Sequence, residues 1–244
     1  MSAAALQIEA DVQSRVQDLD WTRLAAALDA QGWAKAGGLL SAAECDAAAQ
    51  MYADDRRFRS KVVMARHGFG RGEYKYFTYP LPEIVGGLRA ALYPQLAPIA
   101  NRWNERMGID IRYPATLAEF AARCHAAGQA RPTPLLLAYG AGDYNCLHQD
   151  LYGEHVFALQ AAILLSRPVA DFTGGEFVMT EQRPRMQSRP MVVPLMQGDM
   201  VVFAVSHRPV QGTRGTYRVN LRHGVSRIEI GQRYTLGIIF HDAA

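Results

Sequence analysis

The spacing of hydrophobic residues divides the 244-residue chain into a helical first part and a β-rich second part. Near the start, Trp21, Leu24 and Leu28 recur at the spacing of one helix face. Asp20 precedes them as a helix-capping residue type, and Gly32 follows as a stop signal. The pattern therefore predicts a helix between Asp20 and Gly32.

Three further segments have helical patterns. They cover residues 41–54, 83–107 and 117–127. Ser41 and Glu44 have the spacing of a capping box, which satisfies free backbone N–H groups at a helix start. Pro94 and Pro98 lie inside the second segment, and proline removes a helical hydrogen bond. We therefore expect that helix to be broken at the prolines.

Residues 58–82 have a different character, with extended chain, glycines, aromatic rings and basic side chains. The interleaved residues are Arg66, Phe69, Arg71, Tyr74, Lys75, Tyr76 and Tyr79. Such a combination is able to stack nucleic-acid bases and hold phosphates. An alternative interpretation is a half-buried edge strand with Tyr74 and Tyr76 on one face. The sequence leaves both interpretations open.

From residue 133 onward, short apolar runs alternate with turn residues. The runs are Pro134–Tyr139, Phe157–Leu165, Glu176–Thr180, Met191–Pro194, Met200–Val205, Arg218–His223 and Arg233–Phe240. Strands without helices between them cannot form a parallel sheet with crossovers, so a sandwich, jelly roll or barrel is expected. We predict an α+β protein of one domain, residues 1–244. In it, residues 1–130 form a mainly helical support and residues 131–244 a double-sheet core.

Composition narrows the class of protein. Hydrophobic residues make up 49% and charged residues 20%, as in ordinary globular proteins. The sequence shows neither a leader pattern nor an apolar run of membrane-spanning length, so we expect a cytoplasmic protein without a membrane partner. Three dispersed cysteines favour reduced thiols over a disulfide framework or a zinc site. We interpret one of them, Cys146, as a small packing residue.

Charge is distributed unevenly along the chain. Residues 1–55 contain nine acidic and three basic residues, whereas residues 56–244 contain 14 acidic and 23 basic residues. A basic body permits binding to nucleic acid, because neutralising phosphates releases counterions. It does not require such binding.

Two histidines, one aspartate and one arginine form the candidate chemical site. His148 and Asp150 lie two residues apart, so they share a face if their segment is a strand. His223 lies downstream, ten residues before Arg233. Two histidines and a carboxylate form the facial triad of non-haem Fe(II) sites, which leaves coordination positions open. A buried arginine beside them is able to hold a small dicarboxylate by a bidentate pair.

His207 competes with His223 for the third ligand position, because it follows the predicted strand Met200–Val205. Its surroundings, residues 206–216, are rich in turn residues and arginine, which suits a flexible rim. The glycine at 224 and the Gly231-Gln-Arg233 sequence suit a turn between the last two strands. This pattern favours His223.

The order of these motifs resembles that of the Fe(II)/2-oxoglutarate-dependent dioxygenases. The matching pieces are His148-Gln-Asp150, Phe172-Thr-Gly174-Gly175-Glu176-Phe177, Gln197-Gly198-Asp199, and His223 with Arg233. The resemblance covers about residues 134–242 and implies a double-stranded β-helix (jelly roll) fold. It implies that His148, Asp150 and His223 bind Fe(II). It also implies that Arg233 binds the distal carboxylate of 2-oxoglutarate, and that O₂ is consumed.

A closer resemblance is to AlkB-type nucleic-acid demethylases and to a bacterial group of oxygenases supposed to act on nucleic acids. The matching pieces are Leu147-His148-Gln149-Asp150, Tyr139-Gly-Ala-Gly, Arg233-Tyr-Thr-Leu and Gly72-Glu-Tyr74-Lys-Tyr76. By this match Tyr139 and Thr235 also contact 2-oxoglutarate, although the family usually has Asn at the position of Thr235. Tyr74 and Tyr76 match the nucleotide-recognition lid, with Arg71 beside them as a further substrate-binding residue.

One departure from the AlkB pattern concerns the last strand. The pattern has a second arginine six residues after the first, and this chain has Ile239 there. One expected contact is therefore missing.

The resemblance implies oxidative dealkylation or hydroxylation of nucleic acid, as in the repair of alkylated DNA. A base inside a duplex cannot reach such a pocket, so the substrate is expected to be single-stranded or flipped out. The alternatives are a hydroxylase of protein side chains or small molecules from the same superfamily, and a non-catalytic β-helix module that binds nucleic acid. No obligate protein partner is inferred.

Overall fold

Helices occupy much of the first half of the chain. A computed structural model describes residues 11–151 and 153–244 of the protein. After a helical stretch at residues 11–17, the helices are α1 (Trp21–Gln31), α2 (Ala42–Gln50), α3 (Glu83–Arg106) and α4 (Leu117–Ala126). The predicted caps are present, because Asp20 accepts from the Arg23 N–H and Ser41 forms a capping box with Glu44.

Short strands make up most of the second half and part of the first. They are β1 (Trp33–Ala36), β2 (Phe58–Val63), β3 (Gly70–Arg71), β4 (Glu73–Phe77), β5 (Leu135–Gly140), β6 (Tyr144–His148), β7 (Leu159–Leu164), β8 (Phe172–Gly174), β9 (Phe177–Gln182), β10 (Arg189–Val193), β11 (Met200–Ala204), β12 (His207–Gly212), β13 (Gly215–Val225) and β14 (Ile228–Ile238). The seven apolar runs that the sequence marks all contain strands. Strands β1, β8 and β12 carry no such signal.

The strands form two antiparallel sheets. The main sheet has the order β1-β11-β7-β14-β5-β4-β2, with β8 paired to β14. The second sheet has the order β10-β9-β13-β6-β3, with β12 paired to β13. Strands β7 and β11 are buried at every residue, as expected for the centre of a layered core. The α+β prediction with a jelly-roll core is confirmed.

The prediction that α3 would be broken is wrong. The helix runs from Glu83 to Arg106 through Pro94 and Pro98. Both prolines and Ala90, whose carbonyl loses its helical partner, are exposed, so water can satisfy the freed groups. The opposite face of the helix is buried in the core, and its packing keeps the helix intact.

The N-terminal part contributes more than helices. Strand β1 lies at one end of the main sheet and pairs with β11, and β4 pairs with β5. Of the extended segment predicted for residues 58–82, β2 and β4 thus belong to the main sheet and β3 to the second sheet. The main sheet extends across the predicted boundary at residue 131. Residues 1–10 of the predicted support lie outside the described chain.

The prediction of a flexible rim around His207 is also wrong. Strand β12 begins at His207 and forms a regular hairpin with β13, in which His207 lies opposite Asn220. Ladder hydrogen bonds explain why a turn-rich composition still forms a strand, since tertiary pairing overrides local preference.

An aromatic cluster joins the helices to the main sheet. Tyr93 of α3 packs against Phe157 at a centroid distance of 5.0 Å and against Phe120 of α4 at 5.6 Å. Phe240, just after β14, lies 5.2 Å from Phe157. Because this cluster backs the strand that carries Arg233, it holds one wall of the cavity described below.

No helix of residues 11–151 and 153–244 is long and apolar enough to cross a membrane.

Candidate active site

One cavity lies between the two sheets and contains the predicted chemical site. Its volume is about 350 Å³. The main sheet contributes side chains from β4, β5, β7, β11 and β14, and the second sheet contributes β6, β9 and β13. His148, Asp150, His223 and Arg233 all line it. The fold thus brings together residues that are separated by up to 85 positions in the sequence.

His148, Asp150 and His223 form a compact triad. His148 ends β6, and His223 lies directly opposite it on β13. The Asp150 carboxylate lies between the two rings, with Oδ1 3.4 Å from His148 Nε2 and Oδ2 3.4 Å from His223 Nε2. One ligand atom from each residue lies within 4.8 Å of the others. The convergence that the spacing predicts is therefore present, although Asp150 lies two residues beyond the end of β6.

Hydrogen bonding orients the His148 ring toward the cavity. His148 Nδ1 lies 2.7 Å from the carbonyl oxygen of Cys146. A carbonyl only accepts, so Nδ1 carries the proton and Nε2 keeps its lone pair for a metal. Burial disfavours charge on the ring, but the hydrogen bond and charge of Asp150 outweigh it and raise the pKa of His148.

Burial and partners act in opposite directions on Asp150. Burial alone would raise the pKa of this carboxyl, but hydrogen bonds and charge from His148 and His223 hold it well below its ordinary value. The carboxylate therefore stays ionised. An anionic oxygen ligand next to two imidazoles is a donor set that suits Fe(II).

His223 is the most enclosed member of the triad. Its ring packs against Phe203 at 4.6 Å between centroids and against Phe177 at 6.0 Å. Burial and the neighbouring His148 lower the pKa of His223, which favours the neutral ring that a metal needs. The next residue of β13 is Gly224, at a point where β13 and β6 approach closely. A Cβ there would lie 2.6 Å from the Asn145 carbonyl oxygen.

Arg233 lies on the inner face of β14, buried with 1% exposure. One of its terminal nitrogens donates to the Thr235 hydroxyl at 2.5 Å. Its Nε has no hydrogen-bond partner among the described residues. Burial lowers the pKa of Arg233 to about 10, so the side chain stays charged at neutral pH. No carboxylate of the described chain forms an ion pair with it.

Tyr139 lies next to Arg233, because β5 and β14 pair these two residues directly. Its hydroxyl is buried without a hydrogen bond of normal geometry among the described residues, and Asn145 is a nearby polar group. A buried cation with a free N–H, beside a free hydroxyl and Thr235, forms a site for a carboxylate. The distal end of 2-oxoglutarate would satisfy the unpaired groups, and its other end would lie toward the triad.

Gly174 and Gly175 of the Gly-Gly-Glu motif have φ angles of 70° and 64°. A Cβ on Gly175 would collide with Ile228 and would lie 3.0 Å from Arg233 Cδ. The second glycine therefore makes room for the arginine stem.

In the Gly-Asp motif, by contrast, Asp199 accepts from the Gly38 and Met196 N–H groups at 3.0 Å each. That motif stabilises a turn and takes no part in the cavity.

Tyr74 and Tyr76 lie on the inner face of β4, where they pair with Leu137 and Leu135. Their rings are 5.3 Å apart and form part of the cavity wall. Strand β4 lies between β2 and β5, so it is not an edge strand. The two tyrosines do share a face, as one interpretation of the sequence expected, but they belong to the wall of the cavity.

Arg71 does not line the cavity, since it is exposed on β3 and pairs with Tyr144. Several residues outside the predicted site set do line it. They include Cys146, Leu147, Gln160, Phe177 and Phe203. The interpretation of Cys146 as a packing residue is wrong, because its thiol is exposed at the mouth of the cavity. Alternation along β6 from His148 would have placed Cys146 on the same face.

Solved structures with the same architecture support the class of the fold. A Pseudomonas putida prolyl-4-hydroxylase is 15% identical, with a TM-score of 0.55, and the match covers 92% of this chain and 100% of that one. A 2OG-Fe(II) oxygenase family oxidoreductase from Burkholderia pseudomallei is 17% identical, with a TM-score of 0.52 and coverage of 93% and 94%. A Trichoplax adhaerens prolyl hydroxylase, solved with a hypoxia inducible factor peptide, is 14% identical, with a TM-score of 0.55 and coverage of 99% and 94%. At these identities the likeness shows the fold alone.

The jelly roll with its His-Asp-His triad and enclosed arginine defines the class of Fe(II)- and 2-oxoglutarate-dependent dioxygenases. Within this class, the chain belongs to the family described as "Oxygenase, catalysing oxidative methylation of damaged DNA", whose model matches residues 72–243. Two proteins of Mycobacterium tuberculosis are 48% identical over 192 residues, covering 78% of this chain and 82% of each relative. They are named Uncharacterized protein MT2286, from strain CDC 1551, and Uncharacterized protein Rv2227, from strain H37Rv.

Proposed function

We propose that this oxygenase oxidises alkylated bases of nucleic acid, as a demethylase in DNA repair, and that the substrate base is single-stranded or flipped out. The observation that carries the chemistry is the convergence of the triad with the unpaired groups of Arg233 and Tyr139 in one cavity. The substrate class is supported by the family description, which names damaged DNA, and by the basic surplus of residues 56–244. The location that we propose is the cytoplasm.

Within this proposal, His148, Asp150 and His223 hold Fe(II), with Nε2 of each histidine and the Asp150 carboxylate as donors. Arg233, Tyr139 and Thr235 hold the distal carboxylate of 2-oxoglutarate. These residues could share one metal ion, because one ligand atom from each lies within 4.8 Å of the others. Bound Fe(II), 2-oxoglutarate and O₂ together supply the oxidising equivalent that inserts oxygen into a C–H bond, while 2-oxoglutarate becomes succinate and CO₂.

The residues of the chain orient the reactants and exclude water. Phe177 and Phe203 pack around His223, and the wall from β4 and β5 is largely apolar. An N-methyl group held in this cavity would be hydroxylated, and the product would lose formaldehyde to give the unmethylated nitrogen. No proton-transferring triad is needed, because the C–H bond is broken by oxidation.

Two measurements test the assignment. We expect His148→Ala and Asp150→Ala each to abolish Fe(II)-dependent succinate formation, with Asp171→Ala, outside the cavity lining, as the matched control. Succinate release is then compared with methylated single-stranded oligonucleotides, with peptides and without added substrate. Stimulation by peptides alone would favour the hydroxylase alternative, which shares the pieces Gly174-Gly175-Glu176 and His223-Gly224-Val225. Iron-dependent succinate formation that persists in both variants would overturn the proposed site.

The domain organisation is also a proposal. One hydrophobic cluster includes Leu28 of α1, Trp103 of α3 and Phe203 of β11, which supports a single domain over the described chain. A test is equilibrium unfolding followed by far-UV circular dichroism and by tryptophan fluorescence. Coincident transitions are expected, and two separated transitions would contradict the proposal.

A further inference from the structure

Residues 66–71 cross the mouth of the cavity next to the triad. Gly68 and Phe69 of this segment line the cavity. The Phe69 carbonyl accepts from the Cys146 N–H at 2.9 Å, two residues before His148. Gly70 has a φ of 125°, and a Cβ there would collide with the Tyr144 carbonyl oxygen. The backbone of the segment is therefore held tightly against β6.

Two exposed rings on this segment form a stacked pair. The centroids of His67 and Phe69 are 5.3 Å apart, with 23° between the ring planes. Phe69 is 48% exposed, and His67 is also exposed. The pair thus presents apolar ring surface to solvent beside a cavity of about 350 Å³. Exposed aromatic rings of this kind are able to stack on nucleic-acid bases.

Two basic side chains flank the rings. Arg66 and Arg71 are exposed, and neither forms an ion pair with an acid of the described chain. Nearby basic residues differ, because Arg56 and Arg57 pair with Asp54 and Lys61 pairs with Glu73. The charges on residues 66–71 are therefore available to an anionic partner.

We infer that residues 66–71 form a platform for an unpaired nucleotide next to the oxidised one, with His67 and Phe69 stacking on its base and Arg66 and Arg71 holding its phosphates. This inference rests on the proposed function, since it names the part of the surface that binds the nucleic acid. Ring stacking beside free cations is how proteins bind single strands. A paired base would offer only its edges to these rings, so the platform selects single-stranded substrate.

The platform replaces Tyr74 and Tyr76 as the expected contact with the polymer. Tyr76 lies under the guanidinium of Arg59, at 4.6 Å, and both tyrosines face the interior. They are able to contact only what enters the cavity. The polymer outside must be held at the mouth, where Phe69 lies.

The test measures the binding of fluorescein-labelled oligonucleotides of about twelve nucleotides, within the range of single-strand sites. The protein carries Fe(II) and 2-oxoglutarate and is kept free of oxygen. One oligonucleotide has mixed bases, and the other is abasic throughout with the same phosphates. We expect the wild type to prefer the base-bearing strand. Phe69→Ala should weaken binding to it about 5- to 100-fold, as for loss of one stacked base, and should leave binding to the abasic strand unchanged.

The charged residues are tested by the salt dependence of binding. The double variant Arg66→Gln, Arg71→Gln should reduce the slope of log affinity against log salt by about 1.4. It should weaken binding to the two oligonucleotides by the same factor. Phe69→Trp keeps an aromatic ring at this position, so it should keep the preference for the base-bearing strand that Phe69→Ala loses. The matched controls are Ile111→Ala, which removes an apolar side chain of 52% exposure, and Arg23→Gln with Arg131→Gln, all outside the cavity lining.

The outcomes separate this inference from the proposed function. If the wild type oxidises methylated oligonucleotides but Phe69→Ala keeps the full preference for bases, the platform is wrong and the proposed function stands. If the wild type neither binds nor oxidises either strand, both fail. Melting temperatures of all variants within about 2 °C of the wild type exclude unfolding as the cause.

Discussion

The side-chain amide of Gln149 donates to the carbonyl oxygen of Leu221 at 2.8 Å. The same nitrogen also donates to the Ser206 carbonyl at 3.1 Å. Gln149 lies between the ligands His148 and Asp150, and Leu221 lies two residues before His223 on β13. The amide thus joins the two chain segments that carry the triad.

Loss of this amide should weaken metal binding. In Gln149→Met, which keeps the length of the side chain but lacks the donor, the two segments are free to shift. We expect Fe(II) affinity to fall about 10- to 100-fold, as for other residues that orient metal ligands. Anaerobic metal titration measures this directly. Gln211→Met, at an exposed glutamine of β12, is the control, and equal affinity in the two variants would contradict the role of Gln149.

Arg233 should set the affinity for 2-oxoglutarate through the geometry of its guanidinium. Arg233→Met removes the charge, and the KM for 2-oxoglutarate should rise roughly 100-fold or more, because charge-assisted hydrogen bonds contribute about 1.5–3 kcal/mol each. Arg233→Lys keeps the positive charge but lacks the paired N–H donors of the guanidinium. It should therefore raise the KM for 2-oxoglutarate by less than Arg233→Met does. Succinate formation over a range of 2-oxoglutarate concentrations measures both. An unchanged KM in Arg233→Met would exclude a contact with the co-substrate.

Gly175→Ala should disturb the proposed 2-oxoglutarate site, because Gly175 packs against the stem of Arg233. Its φ of 64° disfavours alanine, and the added Cβ would press on Ile228 and on the stem of Arg233. Gly38→Ala is a matched control, because Gly38 has a φ of 61° and open space around it. The control should lose about 1 kcal/mol of unfolding free energy through backbone strain alone. Gly175→Ala should lose more and should raise the KM for 2-oxoglutarate, whereas equal losses with an unchanged KM would exclude the steric explanation.

The buried ion pair between Arg89 and Asp242 should contribute to the acid stability of the protein. Arg89 of α3 contacts the Asp242 carboxylate at 2.7 Å, and Tyr79 and His125 donate to the same group. Burial disfavours the charge, but Arg89 and the hydrogen bonds hold the pKa of Asp242 below its ordinary value. The stabilisation is therefore complete above about pH 4 and is lost as the pH falls further.

Asp242→Asn should cost about 3–5 kcal/mol at neutral pH, because it leaves Arg89 buried without its counter-charge. The more solvent-accessible pair of Arg167 and Asp171 is the control, and Asp171→Asn should cost at most about 1 kcal/mol. Urea denaturation at pH 7 and pH 3.5 measures both the loss and its pH dependence. A loss in Asp242→Asn that is no smaller at pH 3.5 than at pH 7 would contradict the assignment.

The residues of the triad could be predicted from the sequence, because their spacing along the chain is short or follows a strong pattern. His148 and Asp150 are two residues apart, and His223 and Arg233 lie at fixed spacing around the last turn. Periodicity also predicted most strands, since one face of each is buried. The expected roles of these residues stay predictions until metal and 2-oxoglutarate binding are measured.

What the sequence could not predict depends on long-range contacts. Strand β12 forms because β13 pairs with it, and α3 tolerates its prolines because they face water. Phe69 is one aromatic residue among several in its segment, and only its pairing with β6 shows that it lies at the cavity mouth. Tyr74 and Tyr76 were expected on a lid, but the position of β4 within the main sheet places them on the wall.

The exposed thiol of Cys146 has a practical consequence. Cys45 and Cys124 are both buried, and burial raises the pKa of the Cys45 thiol to about 11, so neither should react readily. A maleimide fluorophore should therefore label the wild-type protein at one position, two residues from His148. Its emission would report the arrival of an oligonucleotide at the cavity mouth without any engineered cysteine.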